Sequence, residues 1–410
     1  MIIKTSPLAP KKLKKLYKID GVSISSVSCG IKKNFKDDLV LIKFNSQSRI
    51  YGVFTNSKTP GAPIIWNKSI IKNGKVSALI INSGNANVFN GKKGEEALKK
   101  IIKALSLKLS INEKEIYMAS TGVIGEPLDY KKIIGQIPLL IKNLNNTPES
   151  WLKAANAIRT TDTFPKLHSE KIKFDEKENF YINGIAKGSG MIAPNMATML
   201  SFIVSNIPLE KNETKKKFEY IVEKTFNSIT VDSDTSTSDM VLLILVKNKN
   251  RKSLGPLKKK EFFDKLTNLM TNLAHQIVKD GEGASKFIKI SVDGAQNYKD
   301  AKSLGMSIAN SPLFKTAMAG SDSNWGRIIM ALGKTGVVID NSKISIKFGK
   351  FFILNTGQSL LLKNLKKINN YLKRKEIEIS VIVGKGSGSC SVWTCDLTKN
   401  YISINTDYRS

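Results

Sequence analysis

The chain has 410 residues, of which 41% are hydrophobic and 24% are charged, as in a globular protein long enough for two core-bearing units. Its apolar runs are too short to cross a bilayer and its N-terminus lacks the apolar segment of a signal peptide, so we expect a cytoplasmic protein that contacts no membrane. Three cysteines and two histidines, without the spacing of zinc ligands, nearly exclude a metal site of that type, and we expect no cofactor.

The formal net charge of +31 could indicate a nucleic-acid-binding protein, because basic side chains neutralise phosphates. Only six of the 65 basic residues are arginine, however, and the lysines are scattered along nearly every predicted helix. Proteins that read nucleic acids more often concentrate arginine and add aromatic side chains for stacking. We therefore interpret the charge as compositional background and expect no nucleic-acid partner, while nucleic-acid binding remains the alternative from another functional class.

The first half of the chain alternates strands, polar loops and helices, which is typical of an α/β fold. Strands are predicted at residues 40–44 and 50–54, paired around a turn at 45–48. The loop STGVIG, residues 120–125, is predicted to lead into a helix, whose dipole would favour negative charge there. The other elements predicted here are strands at 76–82 and 115–119 and helices at 95–107, 129–144 and 151–159.

The second half repeats this alternation. Residues 180–186 are predicted to form a hairpin edge around Asn183 and Gly184. Strands follow at 199–204, 240–246 and 287–292, and helices at 215–226 and 260–280. His275 falls on the face of the last helix and His168 in a polar loop, neither in a Gly-rich catalytic setting. The shortage of histidine favours a mechanism whose base is an amine.

The segment KGSGMIAPNMATML, residues 187–200, has the features of a self-cleavage site. A Gly- and Pro-containing loop precedes Thr198, and the apolar run that follows is predicted to be a core strand. Cleavage between Ala197 and Thr198 would give Thr198 a free α-amine, which can remove the proton of its own hydroxyl. From this segment alone, an ordinary Gly-rich turn that enters a strand explains the pattern equally well.

Four further segments carry more small, hydroxyl and amide residues than loops need. Thr121 and Gly122 could supply oxyanion donors, although capping of a helix would explain the same residues. Glu282, between two glycines, could hold a substrate ammonium, or it could belong to a solvated loop after a helix. The loop AMAGSDSNWGRI, residues 317–328, is more polar than a simple connection requires, and the C-terminal segment is predicted to dock onto the body of the protein.

Nine strings in one order resemble the ornithine acetyltransferase family, also called glutamate N-acetyltransferase, over essentially the whole chain. They are VFT, NSGNAN, STGVIG, TTDTFPK, AKGSGMIAPNMATML, VDSDTSTSD, DGEGASK, GSDSNWGRI and WTCDLT. The resemblance implies a layered α-β-β-α architecture with two lobes that share one interface. It also implies self-cleavage into an α chain, residues 1–197, and a β chain, residues 198–410, that begins with the nucleophile.

The resemblance further implies a reaction and a set of site residues. The enzyme would transfer acetyl from N2-acetylornithine to glutamate through an acetyl-threonine, in arginine biosynthesis, and acetyl-CoA as a second donor stays open. Thr198 would be the nucleophile, Thr121 and Gly122 the oxyanion hole, and two cleaved pairs would form an α2β2 heterotetramer. The implied substrate contacts are Thr160, Lys187, Thr198, Glu282, Asn405 and Ser410. The alternative in a neighbouring class is an aminopeptidase or amidase with an N-terminal nucleophile, which would release its product to water.

Overall fold

The structure, a computed structural model, describes residues 4–33, 36–174, 179–193, 199–209, 211–247 and 254–406. The strands are β1 Val22–Val27, β2 Leu39–Phe54, β3 Lys75–Asn85, β4 Ile116–Val123, β5 Lys166–Lys173, β6 Asn179–Lys187, β7 Leu200–Ser205, β8 Met240–Leu245, β9 Phe287–Ala295, β10 Ser345–Phe348, β11 Phe351–Asn355, β12 Gln358–Ser359, β13 Glu376–Ile382 and β14 Gly388–Cys395. The helices are α1 Ala62–Ile70, α2 Gly91–Leu109, α3 Tyr130–Lys142, α4 Pro148–Ala157, α5 Lys211–Lys224, α6 Pro256–Lys279, α7 Tyr298–Ala309, α8 Pro312–Ala319, α9 Gly326–Gly333, α10 Leu361–Leu372 and α11 Lys399–Thr406.

The first lobe is built on an eight-stranded sheet in the order β4-β3-β2-β8-β7-β6-β5, with β1 paired to β2. The pairs β3–β4 and β7–β8 are parallel, and the other neighbours are antiparallel. Every residue of the central strands β7 and β8 is buried, which their apolar sequences LSFIVS and MVLLIL require.

Alternation along β2 separates two cores. Val40 and Ile42 face an inner core shared by both halves of the sheet and by α4. Leu39 and Leu41 face the opposite side of the sheet and pack with α2 and α3. On that same side, strands β5, β6, β7 and β8 pack with α5 and α6. The order is helices, strands, inner core, strands and helices, which confirms the predicted α/β class and the α-β-β-α layers.

The second lobe is a six-stranded sheet in the order β12-β11-β10-β13-β9-β14. One face of this sheet packs against α7, α8, α9 and α10 around Ile290 and Ile379. Phe287 and Cys395, which pair at one end of β9 and β14, belong instead to the core of α5 and α6, so the two lobes share a packed interface. The predicted chain boundary at 197/198 lies in sequence between β6 and β7, which pair in the first sheet, and it falls outside the described residues.

Four local predictions were wrong. β2 is one bent strand with an irregularity between Lys43 and Ser48, because both of its halves pair with other strands rather than with each other. Asn183 and Gly184 lie inside β6, whose hairpin partner is β5. His168, which was predicted in a polar loop, lies in β5. The STGVIG loop does not begin a helix.

Residues 120–123 instead form the end of β4, and α3 starts only at Tyr130. The helix-dipole argument for negative charge at STGVIG therefore fails. Among the described residues, no helix has both the length and the apolar character needed to cross a membrane.

Candidate active site

A cavity of ≈280 Å³ gathers segments that lie far apart in the sequence. It is lined from the ends of β3, β4 and β6, the loops before β5 and β8, the loop after α6, and helix α11. The described residues predicted for catalysis and substrate binding all line it: Thr121, Gly122, Thr160, Lys187, Glu282 and Asn405. Ala197, Thr198 and Ser410 lie outside the described residues.

The carboxyl ends of the parallel strands β3 and β4 form one wall of the cavity. Gly122 pairs with Gly84 and has a φ of 128°, a conformation that favours glycine. The neighbouring Ser120 hydroxyl donates to Asn82 Oδ1 at 2.6 Å, which ties the two strand ends together. This close approach of two backbones explains the glycine after Thr121.

Lys187, at the end of β6, is 5% exposed. Its Nζ donates to Thr121 Oγ1 at 3.2 Å. Burial lowers the pKa of the Lys187 ammonium, although attraction to the carboxylate of Asp162 opposes that shift. The bond occupies an acceptor position of the Thr121 hydroxyl and leaves its proton available for another acceptor.

Glu282 and Asn405 form the opposite wall. Glu282 is 8% exposed, and its Oε2 accepts a hydrogen bond from Asn405 Nδ2 at 2.8 Å. Helix α11 is held against this loop because Thr398 donates to Gly283 O at 2.7 Å. The prediction that the C-terminal segment docks onto the body is thus confirmed for α11.

Thr160 and Thr161 both line the cavity. The Thr161 hydroxyl shares a 2.7 Å hydrogen bond with Ser189, and the Thr160 N–H donates to Asp162 Oδ2 at 3.1 Å. The two segments TTDTFPK and AKGSG are therefore in direct contact at the cavity.

The described chain reaches the predicted cleavage segment from both sides. Asp232 accepts from Ile192 N at 2.8 Å and from Met191 N, and burial raises the pKa of this carboxyl. On the other side of the gap, Leu200 lies opposite Lys187 in the β6–β7 ladder. Strand β7 thus begins beside a cavity-lining residue.

Residue-by-residue reasoning missed several lining residues, among them Ala86, Met191 and Ser236–Ser238. Their signal was present in the sequence, because NSGNAN and VDSDTSTSD are among the nine matching strings. The polar loop at 317–328 does not line the cavity. Within the described ranges, no group of three or more His, Cys, Asp or Glu side chains could hold a metal ion.

A second groove of ≈1180 Å³ is larger and lies between α6 and the second lobe. Its walls include Lys279, Lys289, Tyr371 and Trp393, and none of the predicted site residues contributes to them. Size alone therefore does not identify the site, and the convergence of the predicted residues favours the smaller cavity.

Comparison with known proteins agrees with this geometry. The model of the ArgJ family matches residues 23–410. The arginine biosynthesis bifunctional protein ArgJ of Bartonella quintana is 43% identical, with 100% of each chain covered. The protein of the same name from Mesorhizobium japonicum is also 43% identical, with 99% of each chain covered.

Solved structures show weaker overall likeness. The ArgJ structure from Bacillus halodurans is 35% identical, covers 51% of this chain and 99% of its own, and has a TM-score of 0.47. The ornithine acetyltransferase of Mycobacterium tuberculosis, complexed with ornithine, is 24% identical, covers 46% of this chain and 95% of its own, and has a TM-score of 0.35. On the family match over residues 23–410 and the 43% identity of its relatives, the chain belongs to the ArgJ family.

Proposed function

We propose that this protein transfers the acetyl group of N2-acetylornithine to glutamate in arginine biosynthesis, through an acetyl ester on Thr198. The observation that carries the proposal is the meeting of six predicted residues, from five separate segments, at one cavity. Its volume of ≈280 Å³ lies near the lower end of small-molecule sites, about 300–1,000 Å³, as an amino-acid-sized substrate requires. The bifunctional ArgJ names of the relatives support the same pathway.

In the first half-reaction, the α-amine of Thr198 accepts the hydroxyl proton while Oγ attacks the acetyl carbonyl carbon. Thr121 and Gly122 stabilise the oxyanion through the hydroxyl and the backbone N–H. The bond between the carbonyl carbon and the ornithine α-nitrogen then breaks, and that nitrogen takes the proton. The contact from Lys187 supports this role, because the ammonium bond orients the Thr121 hydroxyl as a donor.

In the second half-reaction, the α-amine of glutamate attacks the acetyl ester and N-acetylglutamate leaves, which restores the Thr198 hydroxyl. Glu282 would hold the side-chain ammonium of ornithine, and Asn405 would fix the orientation of that carboxylate. Lys187 would hold a substrate carboxylate or help depress the pKa of the Thr198 amine. The small cavity limits the room for water, which would otherwise hydrolyse the ester.

The same proposal includes several finer statements. Acetyl-CoA would be a second donor, which the word bifunctional in the relatives' names supports. Cleavage between Ala197 and Thr198 would yield the two chains, and two such pairs would form an α2β2 heterotetramer whose C-terminal Ser410 reaches substrate. The enzyme would need no cofactor and no nucleic acid. A cytoplasmic location fits three cysteines that are all unpaired.

Intact mass under denaturing conditions, combined with an acetyl-transfer assay, tests this function. We expect two species that divide between Ala197 and Thr198, and glutamate-dependent release of ornithine. Thr198→Ala should remain one uncut and inactive chain, whereas Thr198→Ser, which keeps a hydroxyl, should still cut. A cut and active alanine variant would refute the mechanism. Release of amino acids without acceptor would favour an aminopeptidase, and salt-sensitive retention on nucleic acid without cleavage would favour a nucleic-acid-binding protein.

A further inference from the structure

An ion triad lies next to the candidate active site. Lys166 Nζ is 2.6 Å from Asp162 Oδ1 and 2.6 Å from Asp280 Oδ2, and all three side chains are fully buried. Removal of charges from water is costly and is offset only where the remaining hydrogen-bonding positions are filled. The backbone partners of the two carboxylates therefore show what the triad holds in place.

Asp162 joins two of the segments that line the cavity. Its Oδ1 accepts from Gly188 N at 2.7 Å, and its Oδ2 accepts from Thr160 N at 3.1 Å. Gly188 directly follows Lys187, so one carboxylate sets the separation between Thr160 and Lys187.

Asp280 links the third segment to the same triad. It accepts from Thr163 N at 2.9 Å and from the Thr163 hydroxyl, and it precedes Glu282 by two residues. The Glu282 N–H in turn donates to Ser189 O at 2.9 Å. The segments carrying Thr160, Lys187 and Glu282 are thereby connected through one buried network.

The charges of this network are complementary. Burial acts to raise the pKa of Asp162, but the ammonium groups of Lys166 and Lys187 and the Gly188 N–H outweigh it and hold that pKa below the usual range. The two carboxylates likewise keep Lys166 protonated, and its pKa is raised despite burial. Asp162 is therefore a permanent acceptor for both backbone amides.

We propose that Asp162 is the positioning residue of this active site, which holds the Thr160 and Lys187 segments at the spacing that the substrate requires. Lys166 neutralises its carboxylate behind the cavity, and Asp280 holds the Lys166 ammonium in place from the other side. The expected KM changes rest on the proposed function, whereas the structural role of Asp162 rests on its two backbone amide contacts alone.

Two isosteric substitutions separate positioning from general stability. Asp162→Asn leaves a single acceptor oxygen and turns an NH2 group toward another donor, so it must release at least one amide. Asp280→Asn breaks the far end of the triad and leaves both amide contacts of Asp162 in place. In the self-cleaved protein, we expect Asp162→Asn to raise KM for both substrates at least about tenfold, as the loss of charge-assisted hydrogen bonds implies, and Asp280→Asn to raise it less than about threefold.

Hydrogen exchange of the Thr160 and Gly188 amides tests the contact independently of activity. Exchange should accelerate at least about tenfold in Asp162→Asn and remain near the wild-type rate in Asp280→Asn. Equal KM changes in both variants, or unchanged KM and exchange in Asp162→Asn, would overturn the proposal. If Asp162→Asn does not fold, Asp162→Glu keeps the charge, shifts the carboxylate and should give the same KM pattern. An inactive wild-type enzyme would refute the proposed function, while exchange would still decide the role of Asp162.

Discussion

A methyl group at Gly122 should disable the enzyme while leaving most of the fold intact. A Cβ at this position would lie 2.6 Å from Asn85 N and 2.7 Å from Gly84 Cα, whereas ordinary contacts begin near 3.4 Å. The backbone carbon of Gly84 would be nearer still, and because all three neighbours are backbone atoms, the ends of β3 and β4 must separate by about 1 Å. A displacement of roughly 1 Å at a reacting centre costs about 100-fold in rate, so we expect kcat of Gly122→Ala to fall about 100-fold.

Gly125 provides a matched control for this substitution. It lies three residues further along, has a φ of 83°, and an added Cβ would meet nothing within 4 Å. Gly125→Ala therefore introduces only the strain of a positive φ, about 1–2 kcal/mol in unfolding free energy, and should keep kcat within about threefold of wild type. Acetyl transfer should be normalised to the amount of self-cleaved chain. A folded and cleaved Gly122→Ala enzyme with near wild-type kcat would refute the backbone-contact argument.

Three other expectations concern the opposite wall and the acid stability of the fold. Asn405→Ala removes a hydrogen-bond donor to Glu282 and should raise KM for N-acetylornithine about tenfold, whereas the exposed neighbour substitution Thr406→Ala should not; equal KM values would contradict the contact. Gly190→Ala places a Cβ 2.6 Å from Glu282 Oε1, so it should displace the carboxylate and raise the same KM by a similar factor, and an unchanged value would show that Glu282 does not hold the substrate. Burial lowers the pKa of His275 to about 4, below its ordinary 6.5, so up to about 3 kcal/mol of stability present above pH 6.5 should be lost as pH falls to 4. Urea unfolding of His275→Phe should lack this part of the pH dependence, and a parallel loss in the variant would exclude the histidine as its source.

The elements that the sequence predicts have apolar residues that repeat with clear periods, whereas none of the strands and helices after β9 was predicted. Helix α6 is an example, since its buried positions Phe262, Leu266, Leu269 and Leu273 follow helical spacing. The errors arise where pairing is decided by distant strands. Apolar alternation on either side of residues 45–48 fits a hairpin as well as one bent strand, and only the partners β3 and β8 decide between them.

The individual residues of the candidate site could be predicted only from the nine strings that resemble the family. STGVIG alone fits a helix start, and the structure places it at a strand end beside Gly84. No local pattern reports that Asp162 contacts Gly188, because 26 residues separate them in sequence. Such contacts depend on how β5 and β6 pair, which is a property of the whole sheet.

Burial distinguishes a few lysines from the many others that give the chain its net charge of +31, a distinction that the sequence alone does not show. Among the described residues, the buried lysines are Lys166, Lys187, Lys286 and Lys315. Each is bonded: Lys187 lines the candidate site, Lys166 lies behind it, and the other two lysines donate to the backbone carbonyls of Met318 and Cys395. A buried ammonium is costly unless it is bonded, so these four positions require lysine for a reason that exposed lysines do not share. The high lysine content is therefore compatible with a small-molecule enzyme, because the bonding of these four buried lysines does not depend on the charge of the surface.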